Sequence, residues 1–216
     1  MSNRQQRRAA KKGSGGIMNR SDIPFSQRIK IKQHTDIAVS REHAAKVAMY
    51  CMSVAMHEEK RVGYKRLIRY HRRYMEYDRE FYQEDDVDVG MAHLKHRMEQ
   101  IGMPISGEFF TDTVDGLTKR KQEVRNNTLQ ATQVALIIGT VAMNDEFGFG
   151  QEVQLRIQER TYKHAERYRK EGIGFLLEEM EKIGFEIVNG AVHAYLDDDG
   201  NTVTPKRAKK EGFVDA

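Results

Sequence analysis

Seven cations stand within fourteen residues of this chain, Lys60, Arg61, Lys65, Arg66, Arg69, Arg72 and Arg73, and no acid stands among them. That density suits a polyanion, because guanidinium and ammonium groups hold phosphates. Tyr64, Tyr70 and Tyr74 are interleaved and would be base-stacking platforms on that reading. Their spacing, however, continues through Leu67, Tyr77 and Phe81 in steps of three and four, which is a helical packing seam. The tyrosines are therefore expected in a core, and the cations on a solvated face or a partner surface.

Two further clusters carry ligand-type side chains. His57-Glu58-Glu59 and Asn144-Asp145-Glu146 end in carboxylates that suit a hard or borderline metal, and His93 and His96 stand three apart. Neither has a second pair at the right spacing to complete a site, so helix-end charge clusters are expected and no metal. Asp197-Asp198-Asp199-Gly200-Asn201 lacks the alternating ligands and closing Glu of a calcium loop and reads as a turn. The single cysteine, Cys51, lies on an apolar stripe and reads as a small core residue. The sequence holds no phosphate loop, nucleophile elbow or dinucleotide fingerprint. No catalytic residue and no cofactor are expected, and a non-enzymatic protein is.

These residues sit in a chain of 216 amino acids, 39% hydrophobic and 31% charged, with three prolines and no tryptophan. One cysteine rules out a disulfide framework, and no apolar run reaches the length of a membrane span. A cytoplasmic location follows as the expectation. The net charge of +4 is unevenly placed. Arg4, Arg7, Arg8, Lys11 and Lys12 carry five charges ahead of a Gly/Ser stretch, leaving the remainder at −1. The first 16 residues read as a disordered basic tail, able to release counterions from a nucleic acid or simply to keep the chain soluble.

The most informative feature is an internal duplication. At an offset of 87, residues 40–63 fall on 127–150 with eight identities in 24 positions, among them Val47/Val134, Met56/Met143, Glu59/Glu146 and Gly63/Gly150. At an offset of 82, Gly90, Leu94, Met98, Glu99, Ile101 and Gly102 fall on Gly172, Leu176, Met180, Glu181, Ile183 and Gly184. Each copy reads as three helices. The first starts from Ser40 or Asn127 as N-cap and buries Ala44, Val47, Ala48, Cys51 and Ala55, or Ala131, Val134, Ala135, Ile138 and Ala142. It breaks at Gly63 or at Phe147-Gly148-Phe149-Gly150, where glycine allows angles closed to other residues and the two phenylalanines enter the core. The third helix ends at Gly102 or Gly184 as C′ glycine.

The expected fold is all-α: two repeated three-helix units packed pseudo-symmetrically through their first helices, with a short C-terminal β hairpin. The boundaries are a tail at 1–16, a lead-in at 17–39 with a short strand near Arg28–Lys32, unit 1 at 40–105, a linker at 106–126, unit 2 at 127–188, the hairpin at 189–205 and a basic tail at 206–216.

The segment Val141-Ala142-Met143-Asn144-Asp145-Glu146-Phe147-Gly148-Phe149-Gly150 resembles a motif of small α-helical proteins from phages and mobile elements of Gram-positive bacteria. In those, Asp-Glu-Phe-Gly-Phe-Gly precedes a basic pair and Arg-Leu. Gly63-Tyr64-Lys65-Arg66-Leu67 is similar to the second half of that pattern, while Gln151-Glu152-Val153-Gln154 departs from it. The Leu176–Gly184 stretch is similar as well, and Asn3-Arg4-Gln5-Gln6-Arg7-Arg8 resembles the start of many phage proteins, tail assembly chaperones included. The resemblance implies a viral origin and supplies no catalytic residue. Three functions follow as expectations: an interaction protein that binds a host or viral protein or a small ligand, a nucleic-acid-associated factor using the tail and residues 60–73, and a phage assembly chaperone. A homo-oligomer is compatible with each.

Overall fold

The structure is a computed structural model that describes residues 25–83, 87–103, 119–196 and 202–211. The chain divides into two compact units, residues 1–39 and 40–216, so both copies of the repeated sequence fall inside the second. The described part of the first unit, residues 25–39, is helical.

The elements are α1 (Phe25–Lys60), α2 (Tyr64–Gln83), α3 (Val87–Ile101), α4 (Lys119–Phe147), α5 (Gln151–Glu171), α6 (Ile173–Ile183), β1 (Glu186–Val188), β2 (Ala191–His193), β3 (Tyr195–Leu196), β4 (Thr202–Val203) and α7 (Pro205–Glu211). The protein is mostly helical, with antiparallel hairpins near the C-terminus: β1 pairs with β2 and β3 with β4. α2 and α3 both pack on α4, α5 packs on α6, and α6 in turn meets β1 and β2.

Several local expectations are corrected. Ser40 and Asn127 lie inside α1 and α4, not at their starts. Nothing upstream stops either helix, because 25–40 and 119–127 contain neither glycine nor proline. Asn127 instead donates to the Glu123 carbonyl at 2.8 Å and accepts from Arg41 at 2.7 Å. The strand expected near Arg28–Lys32 is helix, and so are residues 119–126 of the stretch read as a linker. The basic end holds α7, which buries Ala208 beside Tyr195 and Val203.

The break between the first two helices of each copy is real, but in the first copy it turns at a different residue. Gly63 has no positive φ; Arg61 does, at 50°, and Gly148 at 61° in the other copy. Each closes its helix with the same backbone bond, Arg61 N–H to His57 at 2.8 Å and Gly148 N–H to Asn144 at 2.7 Å. Gly63 and Gly150 then offer their carbonyls to the first turns of α2 and α5. Phe147 and Phe149 are half-buried at the edge of the core rather than inside it. Phe147 is covered on one side by the Arg66 guanidinium, 4.8 Å from the ring centre. The turn is held from below by buried Gln154, which donates to Phe149 O and Asn144 Oδ1.

The core gathers around the C-terminal halves of α1 and α4. Residues 50–56 and 134–143 are buried at every position. Helices apolar on all sides must be surrounded by protein. α2 contributes Leu67, Tyr70 and Tyr74, all buried, as the seam requires.

At Gly139 the approach is tightest: a Cβ there would lie 2.4 Å from Met52 Sδ and 2.8 Å from Tyr70 Oη. Both side chains are buried, so either one shifts only by repacking its neighbours. Gly139→Val is expected to lose about 1–3 kcal/mol in denaturant unfolding, the usual cost of overpacking. Adding Met52→Ala to that variant is expected to recover part of the loss by making room.

Candidate functional site

The carboxylates that sequence pattern offered as metal ligands are held by cations across helix interfaces. At the end of α1, Glu59 accepts from Arg156 Nε at 2.7 Å and Arg160 Nε at 3.0 Å. Its carboxyl is held below the usual range, chiefly by the Arg156 hydrogen bond. Glu58 meets Arg160 at 3.3 Å and His164 Nε2 at 3.1 Å. At the end of α4, Glu146 pairs with Arg69 at 2.7 Å, and Asp145 accepts from both Tyr77 and Arg97. Burial pushes the Asp145 carboxyl upward, but the hydrogen bonds from Tyr77 and Arg97 outweigh it and the net shift is down. His57 Nδ1 donates to the Val62 carbonyl at 3.0 Å. Among the described residues, no three His, Cys, Asp or Glu side chains could hold a metal together.

The basic segment is thinned by these pairings. Arg66 lies on Phe147, Arg69 on Glu146, and Arg73 pairs with Glu76 at 3.0 Å. Lys60, Arg61, Lys65 and Arg72 are exposed, and Tyr64, Tyr70 and Tyr74 are buried, so the rings are unavailable for stacking on bases. Arg4, Arg7, Arg8, Lys11 and Lys12 lie outside the described residues, as does the Asp197–Asn201 turn. Cys51 is fully buried, and burial pushes its thiol up to about 12, so the nucleophilic thiolate is scarce at neutral pH.

Sequence reasoning missed a cavity of about 240 Å³ between α1, α4 and α5. Its inner wall is Ala48, Cys51, Leu136 and Thr161, all buried; its outer end is marked by exposed His43 and half-buried Tyr168. The threonine hydroxyls on the wall are spent on their own helices: Thr128 to Val124 O at 2.9 Å, Thr132 to Thr128 O at 2.9 Å, Thr161 to Ile157 O at 2.8 Å. Their hydrogens are therefore not offered to an occupant. His43 Nε2 and Tyr168 Oη share a hydrogen bond of 2.7 Å at the outer end. A second hollow of about 310 Å³ lies between α2 and α3 beside Tyr77, His93 and Arg97.

The pairs across the helices were also missed, although a signal existed. Arg69 and Arg156 are identical at the same offset of 87 that relates Glu59 to Glu146, but they lie past the best-matching stretch. The cavity left no such trace, since small residues in helices are common.

No protein-family model matches this chain, and comparison with curated proteins and with solved structures returned no similar protein. Among the described residues, no helix is long and apolar enough to cross a membrane.

One pair, buried Ser53 with half-buried His71, has a measurable consequence. Ser53 Oγ donates to the Met49 carbonyl at 2.8 Å and lies 2.7 Å from His71 Nε2. With the hydroxyl proton committed to Met49, His71 is the donor in the second bond. Burial lowers the His71 pKa to about 4 from 6.5. Between those values the unfolded chain takes up a proton that the folded chain refuses, so stability falls as pH drops from 6.5 toward 4. The contribution above pH 6.5 is at most about 3 kcal/mol. His71→Gln is expected to flatten that limb in unfolding measurements across pH 4–7; an unchanged slope would place the titration elsewhere.

Proposed function

We propose that this chain is a non-enzymatic binding protein, encoded by a phage or related mobile element, in which two copies of one three-helix unit pack about a pseudo-twofold axis and hold a small ligand between them. Reciprocal contacts support the packing. Glu59–Arg156 and Glu146–Arg69 are one contact made twice, each residue displaced by 87. Glu58–His164 and Asp145–Tyr77 repeat at the same offset. Reciprocity of that kind is the property of an isologous interface, in which a patch meets its own copy. The phage origin rests on the sequence resemblance alone.

The observation that carries the binding reading is the cavity between α1, α4 and α5. At about 240 Å³ it lies just below the usual range of small-molecule sites and suits a compact ligand, and the ionisable groups around it are not arranged for catalysis. The carboxylates at the helix ends are neutralised by arginines, and the one thiol is protonated. A nucleic-acid-associated role is the second reading, favoured by the exposed cations Lys60, Arg61 and Lys65 at the turn between α1 and α2.

Native mass spectrometry of the protein purified from its natural host, before and after nuclease, separates the two. The expected result is a small-molecule adduct on each chain that survives nuclease. Nucleic acid that is lost with nuclease, together with an affinity falling steeply with salt, would overturn the small-ligand reading in favour of the second.

A further inference from the structure

We propose that the cavity is a single site for an uncharged, mainly apolar molecule of about ten non-hydrogen atoms, opened on one side of the pseudo-twofold axis by divergence of the two copies. The proposal rests on the small-ligand reading above and commits it to a place, a class and a stoichiometry.

At the offset of 87, Cys51 on the cavity wall corresponds to Ile138, and Thr161 to Tyr74. Ile138 and Tyr74 are both buried, so the larger side chains fill their own surroundings in the core. The copies thus differ in volume where they line the corresponding places: an isoleucine and a tyrosine on one side, a cysteine and a threonine on the other. Apolar surface left open to water is costly, at roughly 25 cal/mol per Å². A cavity of about 240 Å³ kept open beside one copy is accounted for if something occupies it.

The wall sets the chemistry. Ala48, Cys51 and Leu136 present carbon and a neutral thiol, and the hydroxyl of Thr161 is bonded back to Ile157. A charge in that interior would have no partner and would lose its hydration. Polarity is confined to the outer end, where exposed His43 and Arg169 and half-buried Tyr168 can meet one polar group while the interior offers a charge nothing. For size, an apolar protein cavity of about 150 Å³ holds benzene, which scales to about ten non-hydrogen atoms here. A straight-chain alcohol has these properties, its hydroxyl at the mouth and its chain within.

The test uses 1-alkanols from pentanol to decanol as probes on the full chain, read by calorimetry. Each added methylene is expected to tighten binding about fourfold until about nonanol, with one molecule per chain. Cys51→Ile combined with Thr161→Tyr gives this side the residues of the other copy and is expected to abolish binding while leaving the melting temperature equal or higher. Ala165→Leu fills the same space with one smaller change, so a double variant that fails to fold leaves the test intact. Thr161→Val, which keeps the shape and removes the hydroxyl, is expected to bind as the wild type does. Nonanol binding that persists in the folded filled variants would overturn the assigned place and leave a small-ligand function standing. A co-purified charged ligand that nonanol does not displace would overturn the assigned class. No binding by any probe, in a chain that arrives without an adduct, would overturn both this inference and the reading beneath it.

Discussion

Two stretches of helix surrounded by protein on every side set the terms for the rest of this molecule. Residues 50–56 of α1 and 134–143 of α4 have no solvent-facing edge. A helix in that position cannot be amphipathic, so its polar groups must be satisfied internally and its neighbours must come close. Ser53 and Thr140, which are related by 87, both answer by bonding the carbonyl four residues back. Gly139 answers the second demand, since only a residue without Cβ lets Met52 and Tyr70 approach as they do.

The charged residues follow from the same constraint. Where α1 and α4 emerge from the core they end in acidic pairs, Glu58-Glu59 and Asp145-Glu146, and the helix that packs on each end supplies the cation or donor. These contacts are half-exposed, so each contributes modestly to stability. Their value is directional: a like-charged mispairing of helix ends would be penalised. The left-handed residues Arg61 and Gly148 then turn the chain away from the core at equivalent places.

Much of this was legible in sequence, and the gaps have physical reasons. The helical class, the break after each first helix, the Leu67-Tyr70-Tyr74 seam and the glycine ends at Gly102 and Gly184 came from spacing alone, and both glycines have positive φ. The helix starts were misplaced because Ser40 and Asn127 are N-cap residue types, and such a residue can also sit inside a helix, as Asn127 does by donating to the Glu123 carbonyl. Phe147 and Phe149 were expected in the core, yet at the turn they pack against its edge and stay half-buried. The ion pairs across copies needed tertiary proximity that no local pattern encodes. The cavity is harder still, because an absence of volume is visible only once the walls are in place. Cys51 was recognised as buried, but nothing in the sequence distinguished a cysteine packed against neighbours from one facing empty space.

The function proposed for this chain depends on whether the space beside Cys51 and Thr161 is empty and apolar. Diffraction from crystals of the purified protein under xenon pressure measures that directly, because xenon enters dry apolar cavities and is seen by its scattering. One xenon per chain is expected between α1, α4 and α5, in contact with Ala48, Cys51 and Thr161, with none beside Ile138 and Tyr74. Side chains closed over that space, or ordered waters bonded within it, would contradict a site for an apolar ligand.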